Sequence, residues 1–135
     1  MSNEELECIE VIYNKDIEDF INFPDKLYKK INMQNQKLER AILLREHILS
    51  SNFYITPYIV RQNDNVVARA ILTVYPQDGT GYIGFFESEN NKDAVELLFN
   101  TIINKAKFLG RVLLVGPVDC SFWIKYIIKI PFKIF

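Results

Sequence analysis

A single histidine, His47, closes off any multi-histidine metal site within one chain. The two cysteines, Cys8 and Cys120, are too few and too far apart for a disulfide framework or a cysteine-based zinc centre. Both read as small buried hydrophobes. No apolar run reaches the roughly 20 residues that cross a bilayer. The start, Met-Ser-Asn-Glu-Glu-Leu-Glu, is acidic where a secretion signal carries positive charge. Net charge is −1, so there is neither general basicity to attract nucleic acid nor an acidic tail. These absences predict a cytoplasmic chain with no metal site, no membrane span and no nucleic-acid partner.

What is present is an ordinary globular composition, 49% hydrophobic over 135 residues, enough for one core and one domain spanning 1–135. The stretch from Gly81 to Trp123 organises it. Gly81-Tyr-Ile-Gly-Phe-Phe-Glu-Ser88 reads as a strand, followed by a polar turn. A helical pattern follows, with Ala94, Leu98, Ile102 and Ala106 at spacing four. Asn90 is the expected cap, with Asp93 three residues on, and Gly110 stands where a left-handed C-terminal cap belongs. Arg111-Val-Leu-Leu-Val115 is then a strand, parallel to the one around Phe85 because a helix crosses between them.

Earlier elements follow the same logic. Residues 7–13 alternate as a strand, with Ile9, Val11 and Tyr13 on one face. Asp16 is an expected N-cap for a helix carrying Ile17, Phe20 and Ile21, which Pro24 interrupts. A second helix is predicted over 36–49, with Leu38, Ile42 and Leu49 inward and the charges outward. His47 then caps the end of that helix or lies on its surface. Three antiparallel strands follow at 58–62, 66–75 and 80–88. Pro57 is expected at the start of the first, and Val66, Ala68, Ala70, Leu72 and Val74 on one face of the second. A last helix is expected over 121–129, with Ser121 as its cap.

Three segments carry a family resemblance: Phe20-Ile-Asn-Phe-Pro-Asp-Lys-Leu-Tyr28, Tyr82-Ile-Gly-Phe-Phe-Glu87 and Gly116-Pro-Val-Asp-Cys-Ser-Phe-Trp123. With the order of elements, they resemble the N-terminal part of longer bacterial proteins of the GCN5-related N-acetyltransferase (acyl-CoA N-acyltransferase) superfamily. The resemblance implies an α/β fold with a mixed sheet, its C-terminal strands missing or vestigial at 130–135. It implies a sheet that splays between the fourth and fifth strands, with the pantetheine arm of acetyl-CoA or another acyl-CoA in the gap. It implies transfer of the acyl group to a small-molecule or peptide amine. Glu87 and Tyr126 then take the acid–base roles, and Phe86, Asn91, Lys92, Asp93 and Ala94 the coenzyme contacts.

Each assignment has a plainer alternative. The family's phosphate loop has Gln or Arg, two residues, Gly, one residue, then Gly or Ala. Here Glu89-Asn90-Asn91-Lys92-Asp93-Ala94 keeps the Ala but puts Lys92 at the Gly and Glu89 at the Gln or Arg. A helix N-terminus still offers amides and a positive dipole end to phosphate, yet the same residues suit a merely capped helix. Glu87 also reads as a solvated strand end, and Tyr126 as a surface residue of an amphipathic helix. Lys125, Lys129 and Lys133 recur beside apolar residues as on a membrane-surface helix, but Pro131 breaks that stripe. The second functional reading is therefore a catalytically inactive binding or dimerisation module. The apolar tail, with Ile127, Ile128, Ile130, Phe132, Ile134 and Phe135, predicts a homodimer or a longer parent chain.

Overall fold

The computed structural model describes residues 5–28, 36–46, 53–116 and 128–131, of which 28, 38 and 128–131 are described by their backbone. Strand β1 (Leu6–Glu10) leads into helices α1 (Asn14–Tyr28) and α2 (Gln36–Leu43). Strands β2 (Tyr54–Gln62), β3 (Asn65–Val74) and β4 (Thr80–Ser88) follow, then helix α3 (Lys92–Phe108) and strands β5 (Leu113–Gly116) and β6 (Ile128–Pro131). They form one six-stranded mixed sheet in the order β1-β2-β3-β4-β5-β6. Only β4 and β5 run parallel.

Helix α3 covers one face of the sheet. Ala94, Leu98, Ile102 and Ala106 are fully buried against Val60, Ala68, Ala70, Leu72 and Leu114. Each large apolar side chain so buried contributes about 1.5–3 kcal/mol. Helices α1 and α2 cover the other face with Ile17, Phe20, Ile21, Phe23 and Leu43, packed on Ile59, Val66 and Ile71. The predicted glycine cap of α3 is present: Gly110 has φ +76, its N–H bonds Lys107 C=O, and Arg111 N–H bonds Ala106 C=O.

Several expectations are corrected. The first strand ends at Glu10; Tyr13 is 73% exposed, and its carbonyl accepts the first bond of α1 from Ile17. Asp16 lies inside α1 instead of capping it, and its carboxylate binds Arg61 of β2 at 2.7 Å. Pro24 does not break α1, for a reason that involves Arg69. Helix α2 ends at Leu43, and one of its charges faces inward: Glu39 is buried.

Pro57 sits within β2, which begins three residues earlier than it. Its carbonyl accepts from Val11 and its nitrogen also faces β1, where the ladder stops at Glu10–Tyr58, so the proline falls where β1 pairing ends. On β3, a bulge opposite Val60 turns Val66 to the α1 face and Val67 to the α3 face with Ala68. The β2–β3 hairpin closes through Asn63 and Asp64, both at positive φ, as a two-residue turn requires.

Leu113 lies in register with Thr80, five residues before Phe85, although the parallel direction is as predicted. Strand β5 has a neighbour on its far side: β6 pairs antiparallel to it, with Leu113 opposite Pro131. Ile128 and Lys129 belong to that strand and not to a helix. His47, Leu49 and residues 117–127, with Cys120, Ser121 and Tyr126, lie outside the described residues. Among the described residues, no helix is long and apolar enough to cross a membrane. No three His, Cys, Asp or Glu side chains gather there into a metal site.

Candidate active site

Strand β4 changes character midway. From Gly81 to Gly84 it pairs regularly with β3, but two residues, Phe85 and Phe86, then fit between Gly84–Ile71 and Glu87–Arg69, opposite Ala70 alone. Phe85 takes φ +54, a left-handed conformation that costs a non-glycine residue about 1–2 kcal/mol. Around this bulge the side chains alternate. Phe85 packs with the α1/α2 cluster, and Phe86 packs on α3 against Phe99, ring centroids 5.0 Å apart.

Glu87 is half-buried and lies directly opposite Arg69, so both leave the sheet on the α1/α2 face. Arg69 is 2% exposed. Its guanidinium binds both carboxylate oxygens of Glu39, at 2.8 and 3.1 Å, and the Phe20 carbonyl at 2.8 Å. It also lies 4.5 Å from the centre of the Phe20 ring. Helices α1 and α2 are thus fixed over β3, the strand that pairs with Glu87.

Pairing of β4 with β5 covers only Thr80, Gly81 and Tyr82. The strands meet once more at Gly116, where a Cβ would lie 2.5 Å from Ile83 Cβ and 2.8 Å from its carbonyl oxygen. Beyond that contact, no strand among the described residues pairs with β4 on its β5 side. Among the described residues, the bulged end of β4 thus has β3 as its one strand partner.

The start of α3 lies at the end of the same strand. Asn91, not Asn90, is the N-cap: its side chain accepts from Ala94 N–H at 3.1 Å, and its amide donates to Gln62 at 3.3 Å. Asn91 N–H is already bonded to Glu89 C=O at 2.7 Å. Of the four amides expected to face phosphate, those of Lys92 and Asp93 precede the first intrahelical donor, Val95, and are left for an anion. Lys92 is exposed there, between the carboxylates of Glu89 and Asp93.

Other titrating groups lie elsewhere on the sheet and its turns. Burial, aided by the negative charge of Glu10, pushes the Tyr58 hydroxyl up to about 12. Burial also raises the Cys8 thiol, against a hydrogen bond with Thr101, so Cys8 stays a protonated filler of the α3 core. Near the start of β4, Tyr82 donates to Asp78 at 2.8 Å, which lowers the Asp78 carboxyl and raises the phenol.

Of the residues picked from sequence, Phe86, Glu87, Asn91, Lys92, Asp93 and Ala94 all fall between the bulge and the first turn of α3. Tyr126 lies outside the described residues. Sequence reasoning did not single out Arg69 or the left-handed Phe85. The signal for Arg69 was present, as the one charge inside the apolar run of β3.

No protein-family model matches the sequence, and no curated protein does. Solved structures do match in fold. A tandem GNAT protein from the clavulanic acid biosynthesis pathway superposes with a TM-score of 0.63 at 12% identity, over 82% of this chain and 36% of that one. This chain thus spans about a third of that protein. An acetyltransferase of the GNAT family from Staphylococcus aureus gives 0.60 at 12% identity, over 82% and 72%. The PaiA N-acetyltransferase from Thermoplasma acidophilum, solved with coenzyme A, gives 0.56 at 12% identity, over 83% and 79%. The chain has the GCN5-related N-acetyltransferase fold.

Proposed function

We propose that this chain transfers an acyl group from an acyl-CoA thioester to an amine. The observation that supports it most is the end of β4, bulged at Phe85 and, on its β5 side, without a described strand partner beyond the Ile83–Gly116 contact. Such an edge suits an extended arm with amide groups, which adds to the strand by backbone hydrogen bonds. Coenzyme A is bound in one protein of the same fold, the Thermoplasma acidophilum acetyltransferase.

An acyl-CoA supplies an activated carbonyl and a thiolate leaving group. As the amine nitrogen bonds to the acyl carbon, Glu87 accepts the proton that the nitrogen loses. As the carbon–sulfur bond breaks, Tyr126 gives a proton to the sulfur. Phe86 walls the donor side through its contact with Phe99, and the amides of Lys92 and Asp93 take a phosphate oxygen. Titration with CoA and with acetyl-CoA, followed by thiol release in the presence of an amine mixture, tests this reading. A chain that binds neither thioester nor CoA is not an acyltransferase.

The second reading is an inactive module of the same fold. It is favoured by the helix start, where two of the four amides are engaged internally and Glu89 and Asp93 oppose phosphate. Coenzyme binding without thiol release for any amine would support it.

A further inference from the structure

We propose that the depression between α1, the β2–β3 turn and Glu89 binds a small molecule carrying both an ammonium and a carboxylate, an amino acid with an apolar side chain. The cavity has a volume of about 310 Å³ and is lined by Phe23, Lys26, Leu27, Gln62, Asn63, Asn65, Val66, Val67 and Glu89. That is near the lower end of small-ligand sites, about 300–1,000 Å³.

Its chemistry is divided. Phe23 and Val66, buried on the α1/α2 face, make an apolar floor with Leu27. Above it stand one cation, Lys26, one carboxylate, Glu89, and three side-chain amides. The ion pairs among the described residues use neither Lys26 nor Glu89. A polyanion would meet Glu89, and a polycation would meet Lys26. A neutral ligand would gain from neither charge. A zwitterion answers both, with amides able to donate to its carboxylate and accept from its ammonium.

The position suggests which role such a ligand plays. Glu89 N–H bonds Val67 C=O at 2.9 Å, so Glu89 continues β4 along β3. It follows Glu87 by two residues, about 7 Å along an extended chain, and by strand alternation on the same face. An ammonium held at Glu89 therefore lies beside the proposed base, and the amino acid is the acceptor of the acyl group. This last step rests on the acyl-transfer reading; binding of the zwitterion does not.

Calorimetric titration of the full chain with L-leucine, L-leucinamide and N-acetyl-L-leucine, without CoA, tests the site. Leucine should bind at least about tenfold more tightly than either analogue, as expected for a lost charge-assisted contact. Lys26→Met should remove the preference over leucinamide, and Glu89→Gln the preference over N-acetyl-leucine. Both side chains are exposed, so both variants should fold. No leucine binding, or preferences that survive both substitutions, would overturn the proposal. CoA titration of the same preparation separates the two ideas. Leucine bound without CoA leaves the pocket and removes acyl transfer; CoA bound without leucine removes the pocket alone.

Discussion

Arg69 donates a hydrogen bond of 2.8 Å to the carbonyl of Phe20, the group whose helical partner is missing because Pro24 has no N–H. A proline inside a helix costs about 3 kcal/mol or more, in part through that orphaned carbonyl. Here the guanidinium satisfies it from the sheet below while holding Glu39 through its two terminal nitrogens. One buried arginine thus allows α1 to continue through a proline and ties α2 to the same strand.

Removing that arginine should leave a buried carboxylate unpaired and the Phe20 carbonyl unbonded. Arg69→Met is expected to cost about 3–5 kcal/mol in urea unfolding, and Arg69→Met with Glu39→Leu much less. In a Pro24→Ala background the new N–H meets Phe20, so Arg69→Met should cost less by about 0.5–1.5 kcal/mol. An equal cost in both backgrounds would sever the link between the proline and the arginine.

Phe85 tests whether the bulge is strained. In an ordinary strand, glycine is about 0.5–1 kcal/mol worse than alanine. At φ +54 the order should reverse, with Phe85→Gly about 1 kcal/mol more stable than Phe85→Ala. Parallel thermal and urea unfolding of the two variants decides it, and an alanine variant as stable as the glycine one would mean the backbone relaxes freely.

The order of elements, the parallel β4–β5 pair and the buried stripe of α3 were legible because they depend on periodicity and on caps. Gly110 was readable for the same reason: few residues besides glycine tolerate φ +76. What was not legible depended on partners distant in sequence. Pro24 reads locally as a break, and the helix runs through it where Arg69, on a strand far along the chain, bonds the orphaned carbonyl. Pro57 reads as a strand start, and β2 runs through it at the point where β1 pairing ends. Asn90 and Asn91 are equal caps on paper, and the contact with Gln62 of β2 accompanies the second. The side chains proposed for coenzyme contact cluster, but the pocket beside them draws on three separate elements that no local pattern joins.

Tyr58 makes alkaline stability a probe of the core. Its hydroxyl is raised from about 10 to about 12 in the folded state, first by burial. Between those values the unfolded chain has released this proton and the folded chain retains it. Stability therefore falls as pH rises through that window, and the contribution is fully present below pH 10. Tyr58→Phe should flatten the fall between pH 10 and 12 in denaturant midpoints. An unchanged slope would place the alkaline transition on other groups.

Gly116 should be intolerant of any side chain. A Cβ there meets Ile83 on both its side chain and its backbone, so β5 must move away from β4. Gly116→Ala is expected to cost about 1–3 kcal/mol, typical of overpacking. It should also weaken CoA binding, because the strands then part at the mouth of the proposed gap. Stability unchanged to within about 0.5 kcal/mol would show that the contact yields at little cost.

The start of α3 gives two substitutions of opposite sign. If a phosphate rests on the Lys92 and Asp93 amides, Lys92→Glu should weaken CoA binding and Glu89→Gln should strengthen it. Each changes one exposed charge near an anion, worth about 1 kcal/mol at most and reduced by salt. Glu89→Gln also removes the carboxylate that the zwitterion pocket needs. One substitution should therefore tighten CoA and loosen leucine in the same preparation. A damaged fold cannot produce that pair of changes, since it would weaken both. If Glu89→Gln leaves CoA affinity unchanged at low salt, phosphate does not bind at this helix start.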